Sequence, residues 1–209
     1  MSLENVKSTV IAGKRKLIAD VVQEALDAGA GAGEILNVMG EAMDEVGAKF
    51  QTGEIFVPEM LVAAKTMQMG VGVLKPLLGG DEVGKHGKFI IGTVAGDLHD
   101  IGKNLVAMMV ESAGFEVIDL GIDVPAEKFV EAVKSNPDCH VVGVSALLTT
   151  TMEAMRATVK ALKDAGLSDQ VKIMVGGAPV TQAFADEIGA DVYTSDAGAA
   201  AEKAKELAS

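Results

Sequence analysis

The feature that most constrains this chain is a change of rhythm partway along it. From residue 88 onward, five short apolar runs alternate with five helical segments. The runs are 88–94, 115–120, 140–145, 171–175 and 191–194, and the helical segments are 103–113, 126–134, 151–165, 179–188 and one from about residue 196. The first run, 88–94, is apolar nearly throughout, the pattern of a strand covered on both faces. Strands that alternate with helices require a parallel sheet with crossover connections, which are right-handed. The expected architecture is α/β: a doubly wound, five-stranded parallel sheet of flavodoxin-like (Rossmann-like) order.

The first half carries only the helical period. Leu17, Ile18, Val21, Val22, Ala25 and Leu26 recur at helical spacing, after a shorter helix broken near Gly13. Ile35, Met39, Met43, Val46 and Phe50 form one apolar stripe. Gly53 interrupts it, Pro58 suits the first turn of a further helix, and Met60, Ala64, Met67, Val71 and Leu74 continue that helix. Residues 1–78 are therefore expected to form a bundle of about four helices, 79–87 a Gly- and charge-rich linker, and 88–209 the sheet domain.

Charge and composition narrow the function. Thirty acidic against 18 basic residues give a net charge of −12, which disfavours a phosphate-backbone partner. Aromatics are only 3%, too few to stack single-stranded nucleic acid. The lone cysteine, Cys139, excludes an internal disulfide framework or a cysteine-rich metal site. No stretch is apolar for long enough to span a membrane, and residues 1–5 lack the pattern of a signal peptide, so the expected location is the cytoplasm.

Open parallel sheets bind ligands at the carboxyl ends of their strands, where the strand order reverses. In flavodoxin-like order that point lies between the first and third strands. Gly96-Asp97-Leu98-His99-Asp100-Ile101-Gly102-Lys103-Asn104 follows the first, and Ser145-Ala146-Leu147-Leu148-Thr149-Thr150-Thr151 follows the third. Gly176-Gly177-Ala178-Pro179 ends the fourth. His99 is the only ring nitrogen donor among them. Neutral imidazole suits a borderline transition metal such as cobalt, and metal-bound imidazoles usually give their other N–H to a carboxylate, here Asp97 or Asp100. One imidazole is too little for a bare zinc ion, which takes three or four protein ligands. It makes sense where a macrocycle supplies the remaining coordination. Read alone, His99 also fits an ordinary loop histidine, and the glycines fit ordinary turn chemistry. No dinucleotide fingerprint opens a helix after the first strand, and no Walker A sequence is present.

Asp97-Leu98-His99-Asp100-Ile101-Gly102 resembles the D-x-H-x-x-G pattern of cobalamin-binding domains. Ser145-Ala146-Leu147 resembles their S-x-L motif and Gly176-Gly177 their G-G motif, in the same order. Gly47–Phe50, Gly53-Glu54, Phe56, Pro58 and Met60-Leu61 resemble the helical cap that precedes this domain in methionine synthase and in methyltransferase-associated corrinoid proteins. The resemblance implies a cobalamin or related corrinoid, with His99 ligating cobalt from below in place of the cofactor's own dimethylbenzimidazole. It implies that Asp97 accepts a hydrogen bond from His99 and that Thr151, at a place often held by serine, completes the relay. Gly96, Leu98, Asp100, Ile101 and Gly102 would complete the cofactor-binding loop. Ser145, Leu147, Thr149, Gly176 and Gly177 would line a channel for the displaced nucleotide tail, which Tyr193 and Thr194 would close. Met60 and Leu61 are candidates to lie over the upper face, although methionine at helical spacing usually packs a core. The implied role is a non-catalytic methyl carrier. It would serve a substrate-specific methyltransferase, a second methyltransferase that delivers to tetrahydrofolate or a thiol, and a reductive activation protein. A flavin or phosphoacceptor module would share the sheet but not the helical half or the three ordered motifs.

Overall fold

The computed structural model describes residues 2–74, 76–77 and 86–208. Most of the expected linker, residues 79–85, lies outside them. The chain divides into two compact units, Met1–Lys85 with Ser112–Gly114, and His86–Glu111 with Phe115–Ser209.

The first unit is helical: α1 (Ser2–Ile11), α2 (Ile18–Asp27), α3 (Ala32–Gln51) and α4 (Val57–Leu74). Each helix buries the residues its sequence spaces by three or four. Val6 and Val10 do so on α1, Ile18 and Val22 on α2, Ile35, Met39 and Met43 on α3, and Met60, Ala64 and Met67 on α4. Gly70 lets α4 approach closely, because a methyl group there would lie 2.3 Å from Met39 Cε and 3.0 Å from Ile18 Cγ1. Pro58 falls in the first turn of α4, where its missing N–H has no helical partner to lose.

The second unit is the expected sheet. Its elements are β1 (Lys88–Thr93), α5 (Ile101–Ser112), β2 (Glu116–Asp119), α6 (Ala126–Ser135), β3 (Cys139–Ser145), α7 (Met152–Asp164), β4 (Lys172–Gly176), α8 (Gln182–Ile188), β5 (Val192–Tyr193) and α9 (Ala197–Ala208). The strand order is β2-β1-β3-β4-β5, and every pairing is parallel. One face of the sheet buries Ile90, Val142 and Ile173 in a cluster with Phe129 of α6 and Met155, Val159 and Leu162 of α7. Gly143 of β3 leaves room for Phe89 on β1, whose ring lies 2.9 Å from where a Cβ would stand.

Helix boundaries differ from expectation where side chains cap the backbone. The segment expected to be helical from Pro179 stays extended or turned until Thr181, whose hydroxyl accepts the Phe184 N–H at 3.2 Å, so α8 opens at Gln182. Residues Thr149–Thr151 form a 3₁₀ turn before α7 begins. Among the described residues no helix is long and apolar enough to cross a membrane.

Cys139 is wholly buried at the start of β3, and burial pushes its thiol up to about 11. Below that pH the folded chain should not react with a thiol-specific disulfide reagent over minutes, and one equivalent should react once urea unfolds it. Gly143→Ala should lower the unfolding free energy by about 1–3 kcal/mol in a urea titration, because the added methyl overpacks the Phe89 ring.

Candidate functional site

Parallel order places the ends of β1 and β3 side by side, and two loops leave the sheet there in opposite directions. The loop after β1 turns at Gly96, which takes φ +80°, a conformation glycine adopts without penalty. Asp97 follows and is completely buried.

Its carboxylate gathers donors from both loops. Oδ1 accepts the His99 main-chain N–H at 3.1 Å and stands 2.7 Å from His99 Nδ1. Oδ2 accepts the Leu147 N–H at 2.7 Å, the Leu148 N–H at 3.3 Å and the Thr151 hydroxyl at 2.8 Å. That hydroxyl also lies 2.9 Å from the Leu148 carbonyl, but its single proton goes to the charged acceptor, which binds it more strongly. Burial alone would raise the Asp97 pKa. The hydrogen bonds from Leu147, from the ring and main chain of His99 and from Thr151 outweigh it and hold the carboxyl well below the usual carboxylate range.

An ionised carboxylate only accepts, so Nδ1 of His99 carries a proton and Nε2 is the nitrogen left to face outward. No described residue hydrogen-bonds Nε2, and the His99 side chain is 50% exposed. Around it the surface is apolar to an unusual degree for a loop: Leu98 is 69% exposed and Ile101 77%, with Leu147, Leu148 and Ile122 also open. Gly102, Asp100 and Thr149 are exposed at the same edge, and Ser145 is half-buried.

The G-G pair closes one side of this edge. Gly176 and Gly177 end β4 against the chain after β3. A Cβ on Gly177 would stand 1.8 Å from the Ala146 carbonyl oxygen, and one on Gly176 3.1 Å from the Thr194 carbonyl oxygen. The absence of side chains therefore serves close backbone approach, and Tyr193 and Thr194 lie beside it at the end of β5. Met60 and Leu61 belong to the helical unit, where Met60 is buried and Leu61 half-buried. Among the described residues of that unit, Phe56 has the most exposed large apolar side chain, at 67%.

Two groups not singled out in the sequence, Thr93 and Asp123, also fix the His99 loop. Thr93, wholly buried at the end of β1, donates its hydroxyl to the His99 carbonyl at 2.9 Å. Asp123 adopts φ +53°, accepts the Gly96 N–H at 2.7 Å and gives its own N–H to the Asp97 carbonyl at 3.0 Å. Lys103 buries its ammonium against Asp119. Thr93 reads in sequence as strand packing and Asp123 as a turn residue, so only the fold shows what they hold.

Among the described residues no group of three or more His, Cys, Asp or Glu could hold a bare metal ion. The donor set is one imidazole, fixed by a carboxylate, above an apolar rim. It fits a metal whose other ligands come from a flat macrocycle.

Fold and site together define a Rossmann-like domain suited to a macrocyclic metal cofactor. A family model described as "B12 binding domain" matches residues 87–204, and a second of the same description matches residues 2–75. The chain is 43% identical to dimethylamine corrinoid protein 1 of Methanosarcina mazei over 206 residues, 98% of this chain and 95% of that one. It superposes on the crystal structure of a cobalamin-binding protein from Desulfitobacterium hafniense with a TM-score of 0.83 and 34% identity, covering 98% of each chain. Against the methanol:cobalamin methyltransferase complex from Methanosarcina barkeri the TM-score is 0.86 at 27% identity, covering 99% of this chain and 79% of that one. The chain belongs to the family of B12-binding corrinoid proteins, and its cofactor is a cobalamin-type corrinoid.

Thr151→Val removes the hydroxyl while keeping the shape. Urea unfolding should show a loss of about 1–3 kcal/mol, since a buried carboxylate loses a donor, whereas Thr151→Ser should retain most of the stability.

Proposed function

We propose that this chain is a methyl carrier that holds its corrinoid through His99 Nε2 and moves between a methyltransferase that loads it and a second one that unloads it. The observation that carries this reading is the Asp97–His99 pair: a buried, ionised carboxylate fixes one ring nitrogen at 2.7 Å and leaves the other at an apolar, exposed edge. When bound, the cobalt centre supplies reversible uptake and release of a methyl group.

The chain's own residues then have separable tasks. Asp97 fixes the imidazole tautomer and orientation and raises its basicity toward a metal. Thr151 and the Leu147 N–H hold Asp97 ionised, so it remains an acceptor for the His99 ring N–H. Ser145, Leu147, Thr149, Gly176 and Gly177 would line the channel for the cofactor's displaced nucleotide tail, with Tyr193 and Thr194 at its end. Leu98 and Ile101 would lie against the lower macrocycle face and exclude water there. Of the two helical candidates for the upper face, Leu61 is the more accessible and Met60 is buried.

The similarity to a dimethylamine corrinoid protein over nearly the whole chain favours a methylamine as the ultimate methyl source. The structural likeness to a component of a methanol:cobalamin methyltransferase complex favours a methyltransferase as the direct partner. A reductive activation protein completes the proposed set of partners.

The test is the visible spectrum of the protein reconstituted with hydroxocobalamin, beside His99→Ala. Stoichiometric corrinoid should bind to both, and the spectrum of the variant should shift to that of a centre without the protein imidazole. An unchanged spectrum in the variant would remove His99 as the ligand.

A further inference from the structure

One buried charge has no part in the site as described so far. Lys103, the third residue of α5, has a side chain only 2% exposed, although a buried ammonium is costly unless paired. Its partner, Asp119 at the end of β2, is 40% exposed. Such a pair is weak support for stability, since apolar residues of similar shape often serve as well. The lysine's connections suggest another role.

Two hydrogen-bonded arms leave Lys103, one ending on the Asp100 side chain and the other on the His99 carbonyl. In the first, Nζ donates to Asn104 Oδ1 at 2.7 Å. An ammonium only donates, so this bond turns the Asn104 amide nitrogen toward Asp100, whose Oδ2 it reaches at 3.2 Å. The Asn104 N–H also donates to the Asp100 carbonyl at 2.7 Å. In the second arm, Nζ donates to Asp119 Oδ2, while Asp119 Oδ1 accepts the Gly121 N–H at 2.8 Å. The Gly121 carbonyl accepts the Thr93 N–H at 3.0 Å, and the Thr93 hydroxyl donates to the His99 carbonyl at 2.9 Å. The first arm thus ends on the Asp100 side chain and the second on the His99 carbonyl, so both hold the His99–Asp100 segment on the side of His99 away from Asp97.

We propose that Lys103 is a positioning residue for His99: its two arms fix the main chain that carries the ring, as Asp97 fixes the ring itself. The inference rests on His99 being the cobalt ligand. Asp97 sets which nitrogen faces the metal and in which plane. The Lys103 circuit sets how far the ring can travel toward or away from it. A loop held on one side only would let the imidazole retreat at little cost. Held on both sides, it offers the ligand at a fixed height, the arrangement that outer hydrogen bonds give to metal-binding histidines in general.

The experiment uses the full chain and diaquocobinamide, a corrinoid without a nucleotide base, so that any nitrogen ligand must come from the protein. The visible spectrum reads the imidazole-ligated fraction in the wild type, His99→Ala, Lys103→Met/Asp119→Asn, and Asn104→Ala. The double variant removes the buried ammonium without leaving an unpaired charge and keeps an acceptor for the Gly121 N–H. Its equilibrium constant for imidazole ligation should fall about tenfold or more, with a urea midpoint close to that of the wild type. Asn104→Ala, an exposed substitution that cuts one arm only, should shift the equilibrium in the same direction by less. It decides the matter if the double variant does not fold. Wild-type ligation in the double variant, or in Asn104→Ala where that variant must decide, overturns the positioning role while leaving His99 as ligand. An unchanged spectrum in His99→Ala overturns the ligand reading and this inference with it.

Discussion

The carboxylate of Asp97 is the interaction on which the rest of the site depends. It is completely buried, and a buried carboxylate is tolerated only when its lone pairs are met. Here the donors come from its own loop and from the loop after β3, so the same contact that stabilises the charge ties the two sides of the switch point together. That tie sets the tautomer of His99, aims Nε2 outward and fixes where the 3₁₀ turn of Thr149–Thr151 starts, since its last residue supplies one of the donors. Removing the charge would alter all three together.

The two units are built by different means. The sheet unit relies on parallel pairing and on glycines at crossing points, Gly143 beneath Phe89 and Gly177 against the Ala146 carbonyl. The helical unit relies on methionine and alanine at helical spacing, with Gly70 admitting the tip of Met39. Methionine conforms to irregular gaps, which is why a stripe of it reads in sequence as helix but does not indicate which residue faces a ligand. Met60 shows this: its place in the motif drew attention to it, yet it is buried, while Phe56 four residues earlier is exposed.

Much of this was legible from the residues. The runs at 88–94, 115–120, 140–145, 171–175 and 191–194 each coincide with a strand, and the central strands β1, β3 and β4 are largely apolar because they are buried on both faces. Strand order followed from topology rules, and Asp97, His99 and Thr151 stand together, the trio that the resemblance to cobalamin-binding domains implied. What was hidden depends on register between segments distant in sequence. Nothing local indicates that Thr93 turns its hydroxyl to the His99 carbonyl, that Asp123 takes a left-handed conformation to reach Gly96, or that Lys103 spans to Asp119. Pro179 misplaced the start of α8 because proline marks a possible first turn, whereas the cap made by Thr181 marks the actual one.

The bonds from Asp97 to Leu147 and Thr151 join residues 50 and 54 positions apart. Between them the chain must lay down α5, β2, α6 and β3 before the donors exist in space, and contacts of such long sequence separation form late in folding. The imidazole is therefore left without its anchor until β1 and β3 have paired. Assembly of the sheet acts as a checkpoint: a chain still folding holds His99 loosely, and only a finished domain holds it fixed.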